Sequence, residues 1–442
     1  MTREEGRVHQ TAPDQWITAL SDVANGDMTW QYKGWPAMSG PLSVDEVGDQ
    51  GWNIFTDDFL FPVMTLNRGA LHHNVETVSR FCTDHDISFA PHGKTTMSPE
   101  LTRLQLDTGA WGITAATVNQ ARIFRAFGID CILVANQVVD PGAVRWAWRE
   151  LQAFPEFRFF CLVDSVESVE AIEQALADEP AGRPIEVLVE LGMESGRSGN
   201  RTTEGAIEVA IDAGESDRLS LAGVEGYEGI LHYEGDDFSA VDAFLHRLRE
   251  LTERLADKAV FDHLSEVIVT AGGSMFPDRV VEILGGDWAI GRPVRTVIRP
   301  GGYVTHDSIL YAESGPFGNR PPMDGYDRLV PAFTLWSYVI SRPEPDLVIA
   351  GFGKRDVSFD VDLPLPSHVR RGTQLATLDR ELQVFDLNDQ HAYVRIPAEF
   401  KLDVGDMLGC GISHPCATFD RWRAMPLVDD DYNVLGAVRT FF

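Results

Sequence analysis

Two short stretches of the chain carry residue types that can do chemistry. The first is ISFAPHGKT, residues 87 to 95, where Lys94 follows a glycine at the end of an apolar run. GKT also closes the phosphate-cradling loop of nucleotide-binding proteins, whose full pattern needs another glycine five positions before the glycine-lysine pair. That position is Ser88, and Phe89, Ala90 and Pro91 make a stiff, extended approach instead of a flexible loop. The helix-start signal comes later, with Ser98 as N-cap, Pro99 at the first helical position and Glu100 in the first turn. Lys94 therefore belongs at the end of a strand or in the turn beyond it, where its amine can react. The second stretch is SHPC, in which His414 and Cys416 stand two apart. On an extended strand that spacing puts both on one side, so an imidazole and a thiolate could meet one ion, and Zn2+ suits that ligand pair. On spacing alone, a core cysteine beside a surface histidine is the alternative.

Few other residues compete for amine chemistry. Only Lys33, Lys94, Lys258, Lys354 and Lys401 are lysines among 37 cationic residues. Lys258 and Lys401 read as surface positions, Lys33 lies in the irregular N-terminal region, and Lys354, in GFGKRD, is the one rival in a glycine-rich loop.

The elements that position these groups follow from periodicity. From about residue 60 short apolar runs alternate with amphipathic stretches, at 61–67, 86–92, 111–114, 130–135, 158–164, 185–191, 221–227 and 266–271, with helical patterns such as 117–127 and 238–259 between them. Eight strands with intervening helices predict an α/β fold, a (β/α)8 TIM-like barrel over 60–290. After 290 period-2 alternation, prolines and turns dominate, which predicts a β-rich C-terminal domain over 291–442, with the segment 1–59 joined to it. Chemistry in such a barrel collects at the C-terminal ends of the strands. Read in order, those ends supply His92, Gly93 and Lys94, then Asn136 and Gln137, then Gly196, Arg197 and Gly199, then Tyr227, then Gly272, Gly273 and Ser274. The last group is a glycine-rich turn whose N–H groups could bind a phosphate, or a plain tight turn.

Composition narrows the partners. A formal charge of −30 disfavours nucleic acid and anionic membranes. No run of 18 apolar residues and no apolar segment behind the N-terminal charges occurs, so neither a membrane span nor a secretory signal is expected, and the cytoplasm is the expected location. Five scattered cysteines, two of them inside strand-like runs, speak against a disulfide framework.

HGKT after the second strand, WGITAATVNQA, GRSG after the sixth strand, TAGGS after the eighth and SHPCATFDRW near the C-terminus together resemble the D-serine dehydratase and D-threonine aldolase family. These are fold-type III pyridoxal phosphate enzymes related to alanine racemase, and the likeness is nearest to the bacterial D-amino-acid deaminases. The resemblance runs from about residue 60 to the end and implies a barrel followed by a β domain in a homodimer. It implies that Lys94 is the Schiff-base lysine and the base for the substrate's Cα proton, with His92 beside it. Arg197 would lie against the pyridoxal ring and Tyr227 near its other polar edge, Gly272, Gly273 and Ser274 would hold the phosphate, and Tyr303 in PGGYV would be a further catalytic member. A surface ion pair is the alternative for Arg197, and packing is the alternative for both tyrosines. His414 and Cys416 would hold a zinc ion that binds the β-hydroxyl of a D-amino acid. A cysteine as the second ligand points to dehydration of D-serine to pyruvate and ammonia, whereas the resembling aldolases commonly have an aspartate there. A D-threonine aldolase and a non-catalytic carrier of pyridoxal phosphate are the other two readings. Glu194, between the sixth strand and Arg197, departs from the family's neutral turn.

Overall fold

A computed structural model describes residues 26–442 apart from 39, 232–234, 236, 321–322 and 324. The first 25 residues of the expected 1–59 segment therefore lie outside the described residues. Eight parallel strands form one sheet: β2 (Ser88–Phe89), β3 (Ile113–Ala115), β4 (Cys131–Gln137), β5 (Arg158–Val163), β6 (Ile185–Leu191), β7 (Leu219–Gly226), β8 (Val267–Thr270) and β9 (Val294–Ile298). The order runs from β3 through β4 to β9 in sequence and ends on β2. The sheet then closes on itself, because the chain beyond β2 bonds to β3: Trp111 N–H donates to the Phe89 carbonyl at 2.9 Å, and Thr114 N–H to the Pro91 carbonyl at 2.9 Å. Helices between the strands cover the outside, each start marked by a capping side chain where sequence supplied one; Ser98 accepts from Leu101 N–H ahead of the helix Pro99–Asp107.

Two strands exchange places relative to the sequence pattern. β1 (Val63–Asn67), expected as the first barrel strand, lies in a separate ten-stranded sheet, antiparallel to Phe333–Glu344 and parallel to Ala424–Val428. The eighth barrel strand is instead β9, from the TVIRPGGYV stretch expected to open the β domain; it pairs with β8 on one side and β2 on the other. Both runs are short and apolar, and apolarity does not say which sheet buries them. The helix Arg68–Asp84 then links the β domain to the barrel.

The described part of the N-terminal segment packs on the ten-stranded sheet. Trp35, Val47, Ile54 and Phe59 form a buried cluster with Val63, Trp336, Met407 and Ala424. Inside the barrel Ala90, Leu133, Phe160, Leu188, Ala222, Ile268 and Val297 fill the interior, and the layer leaves the C-terminal mouth to polar groups. All five cysteines are free thiols. Among the described residues no helix is long and apolar enough to cross a membrane.

Phe160 is fully buried in that interior layer, so Phe160→Ala removes a ring that its neighbours on opposite strands cannot replace. The expected loss is about 3–5 kcal/mol, read as a lower urea midpoint for the transition that melts the barrel.

Candidate active site

The turn that carries Lys94 is fixed before its side chain is considered. Beyond β2 the chain makes a single 3-10 turn, Gly93–Thr95. His92 N–H donates to the Pro300 carbonyl at 3.1 Å, seating the turn against the end of β9, and Met97 N–H returns to the Gly93 carbonyl at 2.8 Å. A Cβ at Gly93 would stand 2.4 Å from the Phe124 ring, so only glycine lets the turn approach the helix Val118–Ala126. The C-terminal tail reinforces the far side, with Phe441 N–H on the Met97 carbonyl at 2.9 Å and Arg439 on Glu100 at 2.8 Å.

Lys94 is thereby held in the barrel mouth. Burial pushes its ammonium below the ordinary value; the Cys416 sulfur favours the charge, and the guanidiniums of Arg197 and Arg299 oppose it. His92 is driven well below the usual imidazole value by burial, then by Lys94 and Arg299, and among the described residues its buried Nδ1 has no hydrogen-bond partner. The rival Lys354 is exposed, with its ammonium 5.5 Å from the Phe359 ring centroid in the β domain.

Arg299, which the sequence reading passed over, organises the floor of the mouth. It is buried at the end of β9, donates to Thr270 Oγ1 at 2.5 Å and to the Gly226 carbonyl at 3.2 Å, and pairs with Glu225. Burial raises Glu225 to about 8, against the pull of Arg299. Glu190 is raised by burial too, and accepts from Gln137 at 2.5 Å and from Ser198 at 2.9 Å. Arg197 and Tyr227 are brought together directly: the guanidinium stands 4.9 Å over the Tyr227 ring. Arg197 is otherwise exposed, and Glu194 lies on the same exposed loop.

The glycine turn after β8 faces the same mouth. Gly272 has φ +84°, the left-handed region that favours glycine, and its N–H is taken by the Glu228 carboxyl at 3.0 Å. The Tyr227 ring lies beside Gly273. Tyr303 lies behind this group and lines one small cavity with Ser274 and Tyr311. It is buried beside Phe89, its hydroxyl has no partner among the described residues, and Cys82 of the helix Arg68–Asp84 lies near it, because the 3-10 turn Gly302–Val304 packs beneath that helix. Tyr311, on the five-residue helix Leu310–Ser314, lines the same cavity: its hydroxyl is raised first by burial and then by Tyr227 and Cys416, and its ring lies by Gly302 near Ser274. No motif marked it.

His414 and Cys416 do meet, on an element other than the expected strand. Pro415 starts the short helix Pro415–Phe419, His414 is its N-cap, and Cys416 is inside it. Cys416 Sγ lies 3.2 Å from Thr95 Oγ1, next to Lys94. Burial pushes the thiol up, but His414, Thr95 and Lys94 outweigh it and leave it lowered. The His414 imidazole is raised to about 9, first by its hydrogen bond to Cys416 and then by Asp360, whose Oδ2 lies 2.7 Å from Nδ1. A carboxylate behind an imidazole is how metal-binding histidines are oriented. Among the described residues no set of three or more His, Cys, Asp or Glu side chains converges. The buried amine, the glycine turn and the imidazole–thiol pair fit pyridoxal phosphate and a borderline metal.

The alanine racemase N-terminal domain model matches residues 66–274, and the putative serine dehydratase domain model matches residues 332–428. The chain therefore carries an alanine racemase N-terminal domain followed by a putative serine dehydratase domain. A D-threonine aldolase of Arthrobacter sp. is 24% identical over 371 residues, 84% of this chain and 89% of that protein. The crystal structure of the D-threonine aldolase from Filomicrobium marinum superimposes with a TM-score of 0.70 at 22% identity, covering 87% of this chain and 95% of that one. The D-threo-3-hydroxyaspartate dehydratase from Delftia sp. HT23 gives 0.67 at 20% identity, over 86% and 97%. A cysteine-to-alanine variant of such a dehydratase, in its metal-free form, gives 0.68 at 20% identity, over 88% and 99%.

Because the folded protein raises His414 above the ordinary imidazole value, its charge stabilises the fold below the unfolded value of 6.5, and that contribution is lost as pH rises through about 9. Side-chain NMR of metal-free protein should show the His414 imidazole titrating near that pH. Asp360→Asn should move it down and weaken Zn2+ binding by roughly 10–100-fold.

Proposed function

We propose that the chain is a lyase of D-3-hydroxyamino acids that uses pyridoxal phosphate and Zn2+, and that it dehydrates and deaminates D-serine to pyruvate and ammonia. The observation that carries this reading is the 3.2 Å contact of Thr95 with Cys416, which sets an imidazole–thiol pair beside the lysine turn. One cleft then holds a group for the Cα proton and groups for the β-oxygen. Bound there, pyridoxal phosphate supplies an electron sink for the charge left at Cα, and a zinc ion supplies a Lewis acid for the β-oxygen.

The chain's own residues have separable tasks. Lys94, its ammonium lowered by burial, spends more time as a free amine and can take the Cα proton. Arg299 keeps positive charge beneath the mouth without competing for that proton, since its guanidinium is committed to Glu225, Thr270 and Gly226. Ser274 offers its amide and its hydroxyl to a phosphate, and Arg197 and Tyr227 form a stacked wall. Asp360 orients His414. The net change is balanced: the substrate loses its Cα proton and its β-hydroxyl as water, and hydrolysis of what remains gives the keto acid and ammonia. Pairing as a homodimer belongs to the same proposal.

A retro-aldol reaction is the second reading, favoured by the relatives named as aldolases. It starts from the same cleft but breaks the Cα–Cβ bond. By the resemblance, a cysteine rather than an aspartate as the second ligand goes with dehydration, so Cys416 favours that reading for this chain. The β domain, with His414 and Cys416 in it, speaks against a bare carrier.

Borohydride reduction of the pyridoxal-phosphate-loaded protein followed by peptide mapping should label Lys94, and Lys94→Ala should lower turnover of D-serine by roughly 10²–10⁴-fold. Pyruvate and ammonia should appear in equal amounts and fall on chelation. Glycine and an aldehyde from D-threonine, with no keto acid from D-serine, would establish the aldolase instead; a label on Lys354 would remove the mechanism.

A further inference from the structure

The glycine turn assigned to the phosphate is already in partial use. Gly272 gives its N–H to Glu228 Oε2 at 3.0 Å and its carbonyl to the Arg299 N–H at 2.8 Å, so neither backbone group of Gly272 is free for a ligand. The Gly273 N–H also draws on the same carboxyl. Glu228 is fully buried two residues past the end of β7, and among the described residues its second oxygen, Oε1, has no hydrogen-bond partner. A carboxylate in that place would set a negative charge against an incoming phosphate, within the same short turn and in a low-dielectric site. A buried oxygen without a partner is costly unless something else uses it.

Both difficulties have one resolution, which rests on the cofactor reading above. We propose that Glu228 serves the cofactor's phosphate as a neutral carboxylic acid, Oε2 accepting the Gly272 N–H and Oε1 carrying a proton for the bound anion, so that phosphate binding and Glu228 protonation are linked. The orphaned oxygen becomes a donor, and two acids share one turn without two adjacent charges. The groups that face Glu228 are Arg299 from the end of β9, which favours the anion, and Glu225 and Tyr227 from β7, whose own ionisation it hinders. Arg299 is already paired with Glu225. Burial prevails in raising Glu228 above the usual carboxyl value.

The test separates the phosphate from the aldehyde. The full chain is titrated with pyridoxal phosphate and with pyridoxal, followed by absorbance, from about pH 6 to about pH 9. In the wild type the ratio of the two affinities should fall by about tenfold per pH unit on the alkaline side of Glu228's titration. In Glu228→Gln, a fixed neutral donor of the same shape, that fall should vanish while pyridoxal binds as before. Parallel falls in both proteins, or a flat wild-type ratio, overturn the proposal. Infrared difference spectra of the wild type alone guard against a variant that does not fold. On the alkaline side a carboxylic-acid carbonyl band should appear when pyridoxal phosphate binds and not when pyridoxal binds; its absence also overturns the proposal. Failure of the wild type to bind either aldehyde at any pH removes the cofactor reading itself, and this inference with it.

Discussion

A guanidinium buried beneath the barrel mouth ties the rest of the site together. Arg299 joins three neighbouring strands through Glu225 and Gly226 of β7, Thr270 of β8 and its own place after β9. Its backbone N–H holds the Gly272 carbonyl, and the next residue, Pro300, accepts from His92 two positions before Lys94. One strand end thus seats both the amine turn and the glycine turn, which fixes the distance between them without any ligand. Removing one partner of such a buried pair leaves an uncompensated charge and costs about 3–5 kcal/mol. The same cation lies near Lys94 and His92 and helps hold both below their ordinary values. Structural support and proton affinity therefore come from one residue.

The β domain completes the cleft from the other side. Cys416 reaches Thr95, Arg439 reaches Glu100, and the tail bonds to Met97, so the lysine turn and the helix behind it are held by the last thirty or so residues of the chain as well as by the barrel. β1 and the long strand Phe333–Glu344 pair within that domain, which means that the barrel and the metal pair share a frame instead of a flexible joint. On the function proposed above, a metal at that pair would act as a Lewis acid on the β-oxygen while Lys94 met the Cα proton, and small misplacement at either point is expensive in rate. The interdigitated connection answers that demand.

Much of this was legible before the structure. Register alone separated Lys94 from a phosphate loop, since Ser88 stands where a glycine was needed, and the cap at Ser98 lies where its side chain predicted. Strand ends gave the correct rim for Arg197, Tyr227 and Gly272. Sheet membership was not legible: β1 and β9 are both short apolar runs, and their partners lie far away in sequence. Pro415 was a helix-start signal overlooked in favour of an extended reading of His414 and Cys416, yet the N-cap and the second helical residue converge as well as strand neighbours do. Arg299 was hidden among many arginines, because burial with Glu225 leaves no local trace. Tyr311 sits on a helix too short for periodicity to reveal.

Charge operates on two scales here, and only the nearer one bears on chemistry. The chain's formal charge of −30 is spread over a surface where salt screens interactions beyond about 8 Å, so it sets solubility and long-range repulsion without choosing a substrate. Inside the mouth the balance reverses: Lys94, Arg197 and Arg299 converge, while burial favours the protonated forms of Glu190, Glu225 and Glu228. Burial works against negative charge on those acids, so the cations dominate the mouth of an otherwise acidic protein. On the function proposed above, a small amino acid's carboxylate and a phosphate can both be drawn there, while burial first and then Arg197 and Arg299 lower the proton affinity of the Lys94 amine.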